Sequence, residues 1–84
     1  MNRMEISVLF FASVAARLQT RRLVIDVPPG ATVETARDLL LARFPEIEPF
    51  LPNLLYAVDE EYVRITQPLT AGATLALIPP VSGG

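Results

Sequence analysis

The 84-residue sequence contains no cysteine, no histidine and no tryptophan, and its seven basic residues are all arginine. Without cysteine there can be no disulfide, no thiolate–zinc site and no thiol nucleophile. Without histidine, the commonest general base at neutral pH is missing as well. Without lysine, the chain offers no ε-amino group for an isopeptide bond to itself. These absences argue against a free-standing enzyme.

Charge and hydropathy narrow the class of protein further. The formal net charge of −2 argues against nucleic acid as a partner, since nucleic acid requires a basic face. Hydrophobic residues make up 51% of the chain, which is ample for the core of one small folded domain. No apolar run approaches the roughly 18–20 residues that span a bilayer, and the N-terminal segment lacks the features of a signal peptide. We therefore expect a cytoplasmic protein without a membrane partner.

Alternation of apolar and polar residues predicts two strands in the first third of the chain, residues 4–11 and 22–27. A short helix over residues 12–18 would join them, and the short connection makes the strands antiparallel. The side chains expected to face the core are Met4, Ile6, Val8, Phe10, Leu23, Ile25 and Val27. The opposite face of the first strand begins polar and ends apolar, with Leu9 and Phe11.

A longer amphipathic helix follows, with Thr32 as its N-cap and Pro45 ending it near Phe44. Its apolar stripe is Val33, Ala36, Leu40 and Phe44, widened by Leu39 and Leu41. A stripe of this kind is typical of a helix that covers a sheet.

The rest of the sequence predicts a loop over residues 46–53 that has room for one short turn. Short strands are predicted at 54–58 and 62–65, and a last strand at 74–78. The acidic segment 59–61 lies between the two short strands. We interpret it as a solvated hairpin turn and not as a metal site, because three adjacent carboxylates would not all point at one ion.

This order of elements predicts an α+β roll of the β-grasp (ubiquitin-like) type, with a mixed sheet packed on one main helix. The first and last strands would lie side by side and parallel in mid-sheet. Residues 1–78 would form the domain, and residues 79–84 a flexible, free tail. Pro79 and Pro80 would stop the last strand, and Gly83-Gly84 is narrow enough to thread a channel in another protein. The alternative is that residues 79–84 are a chain end without a function.

The sequence resembles the small subunit of molybdopterin synthase, a family of ubiquitin-like sulfur carriers. The resemblance is carried by residues 8–12, 57–59, 62–63, 68–69, 72 and 78–84. The last of these, Ile-Pro-Pro-Val-Ser-Gly-Gly, is the most specific, because thiamine-pathway carriers and ubiquitin-like modifiers share the Gly-Gly end but not this lead-in. Two departures lie in turns: Asp59 stands where the family often has asparagine, and Ala73 where an acidic residue is usual.

The resemblance implies that an ATP-using enzyme of the ubiquitin-activating type adenylates the carboxylate of Gly84, next to Gly83. A sulfur donor would then convert the adenylate to a thiocarboxylate, which gives its sulfur to cyclic pyranopterin monophosphate in molybdenum cofactor biosynthesis. The large catalytic subunit would supply the acid–base groups, so the chain alone would be no enzyme and would bind no cofactor. By analogy, two small and two large subunits would form a heterotetramer.

The same resemblance implies a surface that binds both the large subunit and the activating enzyme. The predicted contact residues are Phe11, Tyr62, Ile78, Pro79, Pro80, Val81 and Ser82. Alternation would bring Phe11, Tyr62 and Ile78 together as an exposed apolar patch, unless a second layer of the chain covers that face. Three other functions remain open: a sulfur carrier for thiamine synthesis or tRNA thiolation, a protein modifier that forms isopeptide bonds through Gly84, and an interaction domain with an idle tail.

Overall fold

A computed structural model of the chain describes residues 3–80. In chain order, its elements are β1 (Met4–Phe10), α1 (Ala12–Leu18), β2 (Arg22–Val27), α2 (Val33–Arg43), a 3₁₀ helix (Pro45–Asn53), β3 (Leu55–Val58), β4 (Glu61–Val63) and β5 (Thr74–Ile78). Within these residues the five strands form one mixed sheet in the order β2-β1-β5-β3-β4. β1 and β5 are parallel neighbours at its centre, and the other pairs are antiparallel. This is the predicted α+β roll.

The core lies between one face of the sheet and the helical layer. Its fully buried large side chains are Ile6, Val8, Val14, Val27, Val33, Leu40, Ile47, Leu75 and Leu77. The rings of Phe10 and Phe44 meet edge to face with centroids 6.3 Å apart, which joins β1 to the end of α2. Removal of this apolar surface from water is the main stabilising contribution to the fold.

The start of α2 is fixed by hydrogen bonds from the rest of the chain. Thr32 is the N-cap, and its hydroxyl accepts from the Thr35 backbone N–H at 3.3 Å. The N–H groups of the first two helical residues, Val33 and Glu34, donate to the carbonyls of Gln67 and Ile65 at 3.0 and 2.9 Å. The donors that a helix usually leaves without partners are therefore occupied here by the segment before β5.

The structure corrects several local predictions. Residues 46–53, predicted as a loop, belong to a 3₁₀ helix that starts at Pro45, and Ile47 anchors it in the core. Leu39, predicted to widen the apolar stripe, is 44% exposed, because it lies about 100° around the helix from the buried Leu40. The two short strands are Leu55–Val58 and Glu61–Val63, slightly shorter than predicted. Within residues 3–80, no helix has the length and apolar character needed to cross a membrane.

Candidate partner-binding site

The face of the sheet opposite α2 carries an apolar strip across its central strands. Leu9 of β1 pairs with Ala76 of β5, Ala76 pairs with Ala57 of β3, and Ala57 pairs with Tyr62 of β4. Paired residues point to the same side of a sheet, so these four side chains form a row. Phe11 follows Leu9 by two residues and lies next to this row. Its N–H donates to the Leu77 carbonyl at 3.3 Å, which holds it beside β5.

These side chains line a shallow groove of about 470 Å³, here called the outer groove. Its lining residues are Leu9, Phe11, Ala57, Asp59, Glu60, Tyr62, Thr74, Ala76 and Ile78. Phe11 and Tyr62 are 43% and 71% exposed, whereas Ala57 and Ala76 are buried and form the floor. The structure thus brings Phe11, Tyr62 and Ile78 together on one surface. Their role in binding a partner stays a prediction.

A sharp bend after β1 directs Phe11 to this surface. Phe11 is extended, with φ −121° and ψ 153°, whereas Ala12 is left-handed, with φ 51°. The carbonyl of Phe11 accepts hydrogen bonds from the N–H groups of Val14 and Ala15 at 3.1 and 3.3 Å. The bend therefore starts α1 immediately and leaves the Phe11 ring outside the core.

The turn between β3 and β4 forms the polar wall of the groove. Asp59 and Glu60 are its two central residues, with Val58 and Glu61 paired on either side. Both have positive φ, 50° and 74°, which is the geometry of a type I′ turn. The Asp59 carboxylate accepts from the Thr74 N–H at 3.0 Å, and the Asp59 N–H donates to the Thr74 carbonyl at 2.9 Å. These two bonds fasten the turn to the start of β5.

The turn also explains how one departure from the family pattern is accommodated. Asparagine and aspartate both tolerate positive φ, and both offer an oxygen to the Thr74 N–H. The sequence predicted the turn but did not place Asp59 and Glu60 in the groove. Alternation gave no signal for either residue, because both lie in the turn with positive φ and not in a strand.

The segment after β5 is described only as far as Pro80. Pro79 is buried and Pro80 is exposed, so Pro80 is the more accessible of these two predicted contacts. The predicted contacts Val81 and Ser82 and the predicted reactive residues Gly83 and Gly84 lie outside the described residues. Among residues 3–80, no cluster of three or more histidine, cysteine, aspartate or glutamate side chains could hold a metal ion.

The architecture is that of the ubiquitin-like proteins. The crystal structure of SAMP1 from Haloferax volcanii superposes with a TM-score of 0.87 at 30% identity, covering 95% of this chain and 99% of that one. A chain in the complex of subunits 1 and 2 of the molybdopterin-converting factor from Helicobacter pylori matches with a TM-score of 0.71 at 22% identity. The match covers 96% of this chain and all of that one, and this likeness shows the fold alone.

The sequence belongs to the ThiS family, whose pattern matches residues 8–84. A molybdopterin synthase sulfur carrier subunit from Drosophila erecta is 39% identical over 83 residues, covering 95% of this chain and 91% of the relative. The predicted family resemblance and the β-grasp fold are thereby confirmed. The predicted function, sulfur carriage in molybdopterin synthesis, is the one named for this relative.

Proposed function

We propose that this chain is the sulfur-carrier subunit of a molybdopterin synthase. The observation that carries the proposal is the relative of that name, which is 39% identical over nearly the full length of both chains. It is supported by the family match over residues 8–84, which includes the Gly-Gly end. The proposal includes a cytoplasmic location.

In the proposed reaction, a ubiquitin-activating-type enzyme joins the Gly84 carboxylate to AMP and releases pyrophosphate from ATP. A carboxylate is a poor electrophile, and the acyl-adenylate provides AMP as a leaving group. A donor that supplies sulfur at the oxidation level of sulfide then displaces AMP and leaves a thiocarboxylate on Gly84. That sulfur passes to cyclic pyranopterin monophosphate in the pocket of the large subunit, and water restores the Gly84 carboxylate. The chain carries sulfur and relies on its partners for catalytic groups and for ATP binding.

The outer groove is the proposed docking surface for both partners. It combines an exposed aromatic pair with a buried floor, and a contiguous apolar surface of this kind usually marks a partner site. It also reaches Ile78, from which the chain continues toward Gly84. A partner seated in the groove would therefore hold the base of the tail. The Helicobacter pylori structure is a complex of subunits 1 and 2, which supports a large-subunit partner.

Intact mass spectrometry tests the proposal directly. The chain is incubated with ATP, a matching activating enzyme and a sulfur donor. We expect a gain in mass equal to the replacement of one oxygen by sulfur. The matched control lacks only Gly84 and should gain nothing. An unchanged mass with an activating enzyme that is competent on its own carrier would contradict the proposal.

A protein modifier is the second candidate, and the likeness to SAMP1 favours it, since a related structure is described as small archaeal modifier protein 1. Tagged chain incubated with cell extract and ATP would then yield conjugates of higher mass that disappear when Gly84 is deleted. Carriage of sulfur for thiamine synthesis or tRNA thiolation differs only in the final acceptor. Capture of partners from the source cells distinguishes it.

A further inference from the structure

The charged side chains that line the outer groove are all acidic. The described residues that line it include two carboxylates, Asp59 and Glu60, and no basic side chain. In the part of the chain that the structure describes, the ion pairs lie on α2, where Arg37 contacts Glu34 at 3.4 Å and Asp38 at 3.2 Å. The carboxylate of Glu60 therefore stands beside an apolar floor without a basic partner from residues 3–80.

Other residues of the same face add to this negative charge. Glu5 of β1 and Asp26 of β2 are paired directly opposite each other, which places two exposed carboxylates side by side. Such like-charged pairs are unfavourable in an isolated sheet. Arg22, opposite Leu9, is the basic strand residue on this face. The exposed Arg64 follows Tyr62 by two residues, just beyond the end of β4. The negative charge is therefore a property of the groove lining, where it is concentrated at the Asp59–Glu60 turn.

We propose that the outer groove accepts a partner surface on which an apolar side chain is flanked by an arginine or a lysine. The inference rests on the proposed function, since the large subunit is the partner considered. The apolar side chain would cover Ala57 and Ala76 between the Phe11 and Tyr62 rings. The cation would face the Asp59–Glu60 turn on the hairpin side of the groove.

Two physical arguments select this partner. Burial of the Glu60 carboxylate against an apolar surface is unfavourable unless an opposite charge accompanies it. An exposed charge also acts over roughly 10 Å at moderate ionic strength, so it accelerates encounter with a surface of opposite charge. Because the turn lies on one side of the groove, the attraction also favours one orientation of the partner over its reverse.

Association kinetics with the large subunit test the inference. The variant Asp59→Asn/Glu60→Gln removes both charges, while the asparagine introduced at the first position keeps an acceptor for the Thr74 N–H and tolerates positive φ. The control Glu46→Gln/Glu48→Gln removes the same charge from two exposed residues of the 3₁₀ helix, outside the groove. At low salt we expect association to slow about 5–10-fold for the first pair and less than about 2-fold for the control. High salt should remove the difference.

Three other outcomes would contradict the inference, and each can be told from the others. Equal rates for the two variants overturn it, and the proposed function still stands if the wild-type chain becomes thiocarboxylated. Failure of the wild-type chain to bind the large subunit overturns both the docking proposal and the inference. A wild-type dimer in sedimentation that dissociates on Phe11→Asp substitution also overturns it, because the groove would then accept a second copy of the chain.

Discussion

The side chain of Tyr56 is buried together with its polar hydroxyl group. It is 6% exposed on the helix-facing side of β3, and its hydroxyl has no hydrogen-bond partner within 3.5 Å among residues 3–80, although the Arg37 guanidinium lies nearby. Burial raises the pKa of Tyr56 above its ordinary value, and the Arg37 guanidinium offsets only part of that rise. A buried hydroxyl without a partner costs about 1–3 kcal/mol relative to a satisfied one. Burial of the ring therefore stabilises the folded domain, whereas burial of the hydroxyl oxygen destabilises it.

We expect Tyr56→Phe to raise the free energy of unfolding at neutral pH by roughly 1 kcal/mol. The substitution should also make the free energy of unfolding less dependent on pH. Since the folded pKa of Tyr56 lies above the unfolded value, wild-type stability is complete below about pH 10 and falls as pH rises through the folded pKa. Urea unfolding at neutral pH and about one unit above the ordinary tyrosine pKa measures both effects.

Tyr62→Phe is the matched control, because Tyr62 is 71% exposed. Its hydroxyl is solvated in both states, so stability should change little at either pH. A loss of stability for Tyr56→Phe at neutral pH would show that the buried hydroxyl has a partner.

The β3–β4 turn carries strain at the scale of a single element. A type I′ turn favours Asn-Gly because both central residues have positive φ, and the second position has a glutamate here. Glutamate in the left-handed region costs about 1–2 kcal/mol. Strain of this kind is found where the side chain serves a site, which agrees with the position of Glu60 in the outer groove.

We predict that Glu60→Gly stabilises the domain by about 0.5–1 kcal/mol, since glycine adopts positive φ without a steric penalty. The gain stays below the full strain energy because glycine is also more flexible in the unfolded chain. Chemical denaturation measures the change. Asp59→Gly is the contrasting variant: it relieves less strain, because aspartate tolerates positive φ, and it loses the 3.0 Å bond to the Thr74 N–H, so it should gain less or lose stability. An unaltered or lower stability for Glu60→Gly would contradict the strain argument.

The elements themselves were largely predictable, because local signals specify them. Alternation located β1 and β2, and Thr32 with Pro45 bracketed α2. The 3₁₀ helix was not predictable, because its prolines indicate only that an α-helix cannot continue. The exposure of Leu39 was missed because only the sheet position decides which flank of the apolar stripe is covered. Positive φ at Ala12 depends on the bend at the end of β1 and has no signal in an alanine.

At the scale of the whole molecule, the two faces of the sheet differ in what covers them. One face of the sheet is covered by α2 and the 3₁₀ helix, and the other bears the outer groove. The sequence predicted that Phe11, Tyr62 and Ile78 would share this open face, because strand parity and the central β1–β5 pair determine it. The acidic wall could not be predicted from parity alone, since it depends on the bonds that fasten Asp59 to Thr74 across the sheet.

This two-sided organisation allows a test of the docking face with matched variants. Phe11 and Leu39 are 43% and 44% exposed, and they lie in the groove and on α2, respectively. We expect Phe11→Asp to weaken binding of the large subunit by at least about 30-fold, the effect of losing roughly 2 kcal/mol at an aromatic anchor. Leu39→Asp should change the affinity less than about 2-fold. Calorimetric titration gives both affinities.

The two variants should unfold at similar temperatures, because each replaces a half-exposed apolar side chain and leaves the buried core intact. Similar melting temperatures would therefore assign the loss of binding to the groove and not to the stability of the domain. If the same large subunit bound both variants with wild-type affinity, the outer groove would not be its docking surface. If Leu39→Asp alone lost affinity, the partner would lie on the helical side, and the negative wall formed by Asp59 and Glu60 would have no role in its selection.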